Sequence, residues 1–222
     1  VYEARVVTYA HPEMPKPQIT MMPEQVSERQ PLVLPKQFTV TNDYVQLEVE
    51  FPLKVISSAV HNAGMGWYNN FLNRSISPYY NIENVKEETV QFLLERGFSL
   101  TNTVVMLTAV EANLVSIRSF HHERFSITIA VTAGVGNAVD VTRTYERQDI
   151  PYIGTINTWV IVNGKLSDEA FYQAMITATE AKTKALAEED IRDVQTNTIA
   201  TGTATDSLLI AATQHGEEMP YA

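Results

Sequence analysis

Lys182 falls where the pattern calls for an apolar residue. Phe171, Met175, Ala178, Lys182 and Ala185 recur at three- and four-residue intervals and therefore share one side of a helix. A lysine on such a stripe must either run its methylene stem out to water or find a partner. If desolvated, it can act as a base or orient a carbonyl. Glu180 lies about 200° away around the same helix, so the two do not face one pocket together, and Lys182 is the favoured candidate. The second chemical feature is the run Thr198-Ile199-Ala200-Thr201-Gly202-Thr203-Ala204-Thr205-Asp206, which combines hydroxyls, a glycine and a carboxylate. Backbone N–H groups in such a small-residue segment can converge on an oxyanion around Gly202, and Asp206 can serve as acid, base or orienting carboxylate. The same residues also suit a helix cap or a strand-entry turn, because threonine and aspartate readily bond nearby backbone. Thr132-Ala133-Gly134-Val135-Gly136-Asn137 and Gly154-Thr155-Ile156-Asn157 have the same character, and the three segments are expected to meet at one pocket.

Other chemistries fit poorly. Neither Gly134-Val135-Gly136 nor Gly64-Met65-Gly66 completes a dinucleotide fingerprint, and no phosphate-binding glycine-lysine-serine/threonine loop occurs. Adjacent strand residues point to opposite faces, so His121-His122 is a poor metal pair, and no His-Glu-x-x-His pattern is present. Among the histidines His61, next to a glycine turn and Trp67, is best placed for a pocket. The absence of cysteine excludes disulfides, thiol nucleophiles and thiolate metal sites. A formal net charge of −10, with lysines and arginines scattered, argues against nucleic acid and anionic membranes as partners. No run reaches the roughly 20 apolar residues of a membrane span, and no signal peptide is visible, so a cytoplasmic location is expected.

The elements that must position these residues can be read from periodicity. The 222 residues, 45% hydrophobic and 19% charged, suit a folded domain with a substantial core. Val1 to Lys36 holds six of the ten prolines and reads as an extended arm, which makes an arm-exchanged homodimer worth testing; residues 37–222 form the domain proper. Tyr44 to Phe51 and Leu53 to Val60 are expected as two strands separated by Pro52. Val85 to Arg96 reads as a helix capped by Asn84 and ended by Gly97. Thr103 to Leu107 is an unbroken apolar strand, and Asn113 to Phe120 is another. Phe125 to Thr132 alternates, with Phe125, Ile127, Ile129 and Val131 on one face and Ser126, Thr128, Ala130 and Thr132 on the other. Ile156 to Val162 is a strand leading into an Asn163-Gly164 turn. A long helix follows from its cap at Ser167 to about Ala187, with Glu180 expected to pair with Lys184. Strands mixed with two clear helices, too few for regular βαβ alternation, indicate a single α+β domain with a mixed β-sheet packed by a few helices.

Six motifs then occur in order: Asn73-Arg74-Ser75-Ile76, Met106-Leu107-Thr108-Ala109, Thr132 to Ala138, Gly154 to Asn157, Thr179-Glu180-Ala181-Lys182 and Ala200 to Asp206. Between about Val55 and Ala212 the chain resembles the adenosylcobinamide amidohydrolase (CbiZ) family. The resemblance implies hydrolysis of the amide joining aminopropanol to a corrin ring, with adenosylcobyric acid as product, in cobalamin salvage. Cobalt would arrive with the substrate, and no protein cofactor or metal is implied. It makes Lys182, Asp206 and Glu180 the catalytic candidates. Asn73, Arg74, Thr108, Thr132, Asn137, Thr155, Asn157, Thr201, Gly202 and Thr203 become the candidates for binding substrate. Three departures stand out: the proline-rich start has no counterpart in the family, Arg143 to Ile153 is short where a mobile loop belongs, and the family pattern continues past Tyr221, so a trimmed chain is expected. A non-catalytic corrinoid carrier and an amidase for another small molecule remain as alternatives.

Overall fold

The computed structural model describes residues 33, 35–77, 79, 83–146 and 154–221. Most of the proline-rich arm and part of the short 143–153 segment lie outside them. Where the arm meets the domain, Val33 is buried, and its peptide is clamped by Asn163, which accepts from Val33 N at 2.7 Å and donates to Val33 O at 2.8 Å.

In chain order the strands and helices are β1 (Phe38–Val40), β2 (Tyr44–Ser57), β3 (Gly64–Ser75), α1 (Val85–Glu95), β4 (Thr103–Thr108), β5 (Ser116–His121), β6 (Ser126–Ala133), β7 (Ala138–Val139), β8 (Ile156–Asn163), β9 (Lys165–Leu166), α2 (Asp168–Glu188), β10 (Gly202–Thr203), β11 (Ser207–Ala212) and β12 (Glu218–Met219). One large sheet has the order β4-β3-β2-β11-β8-β6-β5, with β1 added against β2. The β3/β4 and β11/β8 pairs are parallel and the remaining ladders of this sheet are antiparallel. The fold is a single α+β domain, as the periodicity predicts.

The two strands expected around Pro52 are one. β2 runs straight through, and its register against β3 shifts between Glu48 and Leu53. A bulge is where a strand tolerates a residue without an N–H, so the proline bends the strand instead of ending it. The Asn163-Gly164 turn is not a hairpin either, since β9 leaves β8 to pair in parallel with β12.

The sheet is curved enough for β4 and β8, four ladder steps apart, to meet across its concave side. Trp159 Nε1 donates to Met106 Sδ at 3.2 Å there, within a core that also takes Leu47, Val55, Phe71, Ala130, Ile161 and Leu209. On β6 it is the small face, with Thr128, Ala130 and Thr132, that is buried inward, while Ile127 and Ile129 remain partly exposed. A crowded concave interior favours the smaller side chains.

The helices cover the convex side. α1 seals Leu72 and Val105 with Phe92 and Leu93, and ends in a left-handed Gly97 with φ +75°. Asn84 precedes it without making a side-chain cap bond. α2 is capped as expected, Ser167 Oγ accepting from Ala170 N, and lays Ala170 and Phe171 on Ile56, Val162 and Ile210. Toward its end the buried position is Leu186, with Ala185 exposed, and Lys184 pairs with Glu188 at 3.0 Å rather than with Glu180.

Candidate active site

Lys182 leaves α2 toward the sheet and meets Asp206, the residue just before β11, with Nζ 2.5 Å from Oδ2. Both side chains are mostly covered, at 22% and 16% exposure. The Asp206 carboxylate is also held by its own turn and by β8: Oδ2 accepts from Thr203 N at 3.1 Å, and Oδ1 accepts from Ile156 N at 3.0 Å and from the Thr203 hydroxyl. Four donors fill the four lone-pair directions of a carboxylate. Asp206 thereby fixes Lys182 and has no acceptor position left for a water. The Thr203 N–H is turned inward to the carboxylate, not outward toward a ligand.

Gly202 makes this pairing sterically feasible. A Cβ there would overlap Asp206 Oδ2 and lie 2.8 Å from Lys182 Nζ. Beside the pair a cleft of about 210 Å³ opens between α2 and the starts of β8 and β11, lined by Ser58, Ile156, Thr158, Met175, Ala178, Thr179, Lys182, Asp206, Ser207 and Leu208. Ser58 and Ser207 place their Oγ atoms 3.2 Å apart, and Leu208 N donates to Ser58 Oγ at 3.0 Å. Spacing alone gave no signal for Ser58 and Ser207, because they are 149 residues apart and only the β2/β11 ladder brings them together.

The three polar segments do converge, but on opposite faces of the sheet. Asn73, Thr108, Thr132, Thr155 and Asn157 are all buried on the concave side and bond one another. Asn73 Nδ2 donates to Thr132 Oγ1 at 2.8 Å, and Asn157 Nδ2 donates to Asn73 Oδ1 at 2.7 Å and to Leu107 O at 2.8 Å. Thr155 Oγ1 lies 3.2 Å from Asn157 Oδ1 and 2.7 Å from Thr205 O, which links this network to the turn that carries Asp206. The cleft takes the alternate residues Ile156 and Thr158, so the period-two pleat separates the two sets. Thr201 also serves the scaffold, its Oγ1 accepting from Val141 N at 3.0 Å and contacting Val139 O. Asn137 is buried beside Gly154, whose added Cβ would lie 2.7 Å from Gly134 O, and its Oδ1 has no hydrogen-bond partner among the described residues.

Three other candidates lie away from the cleft. Arg74 is on the convex face, paired with Glu88 at 3.1 Å and stacked 4.1 Å from the Phe92 ring centroid. Glu180 is exposed on α2. His61 bonds Leu100 O through Nε2 at 2.9 Å.

Comparison with known proteins gives this geometry a family. Residues 31–222 match the model of the family described as adenosylcobinamide amidohydrolase. The chain belongs to the adenosylcobinamide amidohydrolase (CbiZ) family. It is 30% identical over 159 residues to a Methanosarcina mazei protein named adenosylcobinamide amidohydrolase, covering 70% of each chain. It is also similar to two uncharacterised proteins. One, from Methanocaldococcus jannaschii, is 30% identical over 158 residues, with 62% of each chain covered. The other, an ABC transporter ATP-binding protein named YvrA from Bacillus subtilis, is 25% identical over 215 residues, 96% of this chain and 40% of that one. The chain thus spans two-fifths of the Bacillus relative and about three-fifths of the Methanocaldococcus one. Among the described residues no helix is long and apolar enough to cross a membrane.

Proposed function

We propose that the chain hydrolyses the amide linking aminopropanol to the corrin ring of adenosylcobinamide, yielding adenosylcobyric acid and free aminopropanol. The observation that carries this reading is the Lys182–Asp206 pair at the wall of a hydroxyl-lined cleft. Family membership and the name of the Methanosarcina relative support the choice of substrate. Amide hydrolysis places a water oxygen on the carbonyl carbon, breaks the C–N bond, and returns a proton to the leaving amine. An ammonium fixed by a neighbouring carboxylate suits the carbonyl oxygen, whose negative charge grows in the tetrahedral intermediate. Lys182 takes that role here, and Asp206 positions it. Ser58, Thr158, Thr179 and Ser207 supply hydroxyls for the attacking water and for neighbouring amide groups. Cobalt enters with the substrate.

A second reading, a corrinoid carrier without catalysis, is favoured by one feature. All four acceptor positions of Asp206 are taken, so it cannot receive a proton from water without releasing a donor. Incubation with adenosylcobinamide and mass detection of adenosylcobyric acid decides between the two. Hydrolysis predicts release of aminopropanol and a fall of about 10²–10³ in kcat for Lys182→Met with an unchanged circular dichroism spectrum. Binding by the wild type without release would establish the carrier. Full activity in a folded Lys182→Met variant would remove the lysine from the mechanism.

A further inference from the structure

The cleft holds an amide arm but is far too small for a corrin ring, and this inference rests on the corrinoid reading above. The flank of α2 beside it shows where the ring fits. Asp168, Tyr172, Ile176 and Thr179 recur at four-, four- and three-residue intervals and therefore share one flank of the helix. Both ends of that flank face β2: Lys54 pairs with Asp168, and Thr179 lines the cleft together with Ser58. Tyr172 and Ile176 thus face the same way, yet they are 56% and 58% exposed. On β3, Trp67 pairs with Lys54 and Met65 with Ile56, which puts both side chains on the convex face next to the strand that α2 overlooks. They too are exposed, at 55% and 42%. These exposed side chains outline an apolar trough along β2, over Ile56 and the stem of Lys54, whose Nζ sits 5.6 Å from the Phe171 ring centroid. From Asp168 to Thr179 it runs roughly 16 Å along α2, and Thr179 at its far end lines the cleft together with Ser58 and Lys182.

The geometry points to Trp67, Met65, Tyr172 and Ile176 as the platform on which the corrin macrocycle lies, holding its aminopropanol arm against Lys182. Two features argue for this occupant over a second copy of the chain. The trough is continuous with the cleft, and polarity changes along it in the order a corrinoid requires: apolar side chains for the methyl-bearing ring face, then hydroxyls for the amide arms. Large exposed aromatic and methionine side chains beside a polar cleft are the usual makings of a ligand site.

Adenosylcobyric acid retains the ring and cannot be cleaved at the removed arm, so it reports the platform apart from catalysis. The experiment measures its Kd by equilibrium dialysis for the wild type, Trp67→Ala and the Tyr172→Ala/Ile176→Ala double variant, alongside kcat and KM for adenosylcobinamide. All four side chains are exposed, so the variants keep the fold. The platform predicts saturable quenching of Trp67 emission, a Kd weakened at least tenfold in each variant, and a KM raised by a similar factor with kcat little changed. Unchanged Kd and KM would overturn it, as would no binding at all, or an altered oligomeric mass with the same Kd. Aminopropanol release that is indifferent to these substitutions leaves the hydrolase reading standing without the platform. Platform-dependent binding without release does the reverse.

Discussion

Asp206 is the carboxylate of the cleft lining and accepts four hydrogen bonds, so its pairing with Lys182 can be tested from either side. Asp206→Asn keeps the shape but turns one acceptor oxygen into a donor, so that Ile156 N or Thr203 N faces an NH₂. An orphaned buried donor costs about 1–3 kcal/mol, and urea denaturation should show that loss together with reduced turnover. Gly202→Ala attacks the same pair from outside, because its methyl group needs the space shared by Lys182 Nζ and Asp206 Oδ2. It is expected to lower kcat nearly as much as Lys182→Met does. If instead its kcat stays within twofold of wild type, the contact between lysine and carboxylate is not what turnover requires. Lys182 was legible in the sequence because a charge breaks an apolar stripe. The saturation of Asp206 was not, because Ile156 is 50 residues away in the chain and reaches the carboxylate through a backbone N–H, which no side-chain pattern records.

At the level of elements, the pleat explains why the motif residues divide. Asn157 and Thr158 are neighbours, yet one enters the concave network and the other the cleft. The sequence singled out Asn157 in a polar segment and left Thr158 as one unnamed position of the strand; which face each served depended on β3 and β4 curling round to β8. The bonds that Asn73 and Asn157 make within the sheet fit a scaffold role. Asn157→Ala should destabilise the fold by about 1–3 kcal/mol, through the unpaired Asn73 amide, and leave KM unchanged. A raised KM at full stability would mean that the concave network touches substrate. The turn after β7 carries a pH dependence of its own. The hydroxyls of Thr142 and Thr198 hold the Asp140 carboxyl below the usual aspartate range, with Arg143 adding to the effect. A group whose pKa is lowered in the folded state stabilises fully above its unfolded pKa, near 4, and loses that contribution as pH falls through the folded value. Protection from hydrogen exchange at residues 138–146 and 192–201, taken relative to the intrinsic rate at each pH, should therefore fall below about pH 4. In Asp140→Asn the protection should be lower already at neutral pH and lose that acid dependence.

At the level of the molecule, the last long strand in the chain joins two halves made earlier. β4-β3-β2 lies on one side of β11 and β8-β6-β5 on the other, so the backbone ladder between the halves runs through six residues near the C-terminal end. Strand periodicity marks such a segment as apolar and buried but does not reveal its partners, which is why the mixed sheet was expected and its order was not. The arrangement predicts that neither half is stable alone, since the two share one concave core: Leu209, fully buried, packs in one cluster with Leu47, Val55 and Phe71 from one side and Trp159 and Ile161 from the other. Leu209→Ala should cost about 2–5 kcal/mol, the range for a truncated core leucine. The two tryptophans report the halves separately, Trp67 on β3 exposed and Trp159 on β8 buried. Their emission spectra should differ enough to follow both during denaturation. If β11 makes the fold one cooperative unit, the two transitions coincide in the wild type and shift together by the same amount in Leu209→Ala. Transitions that separate in the variant would show that each half carries stability of its own.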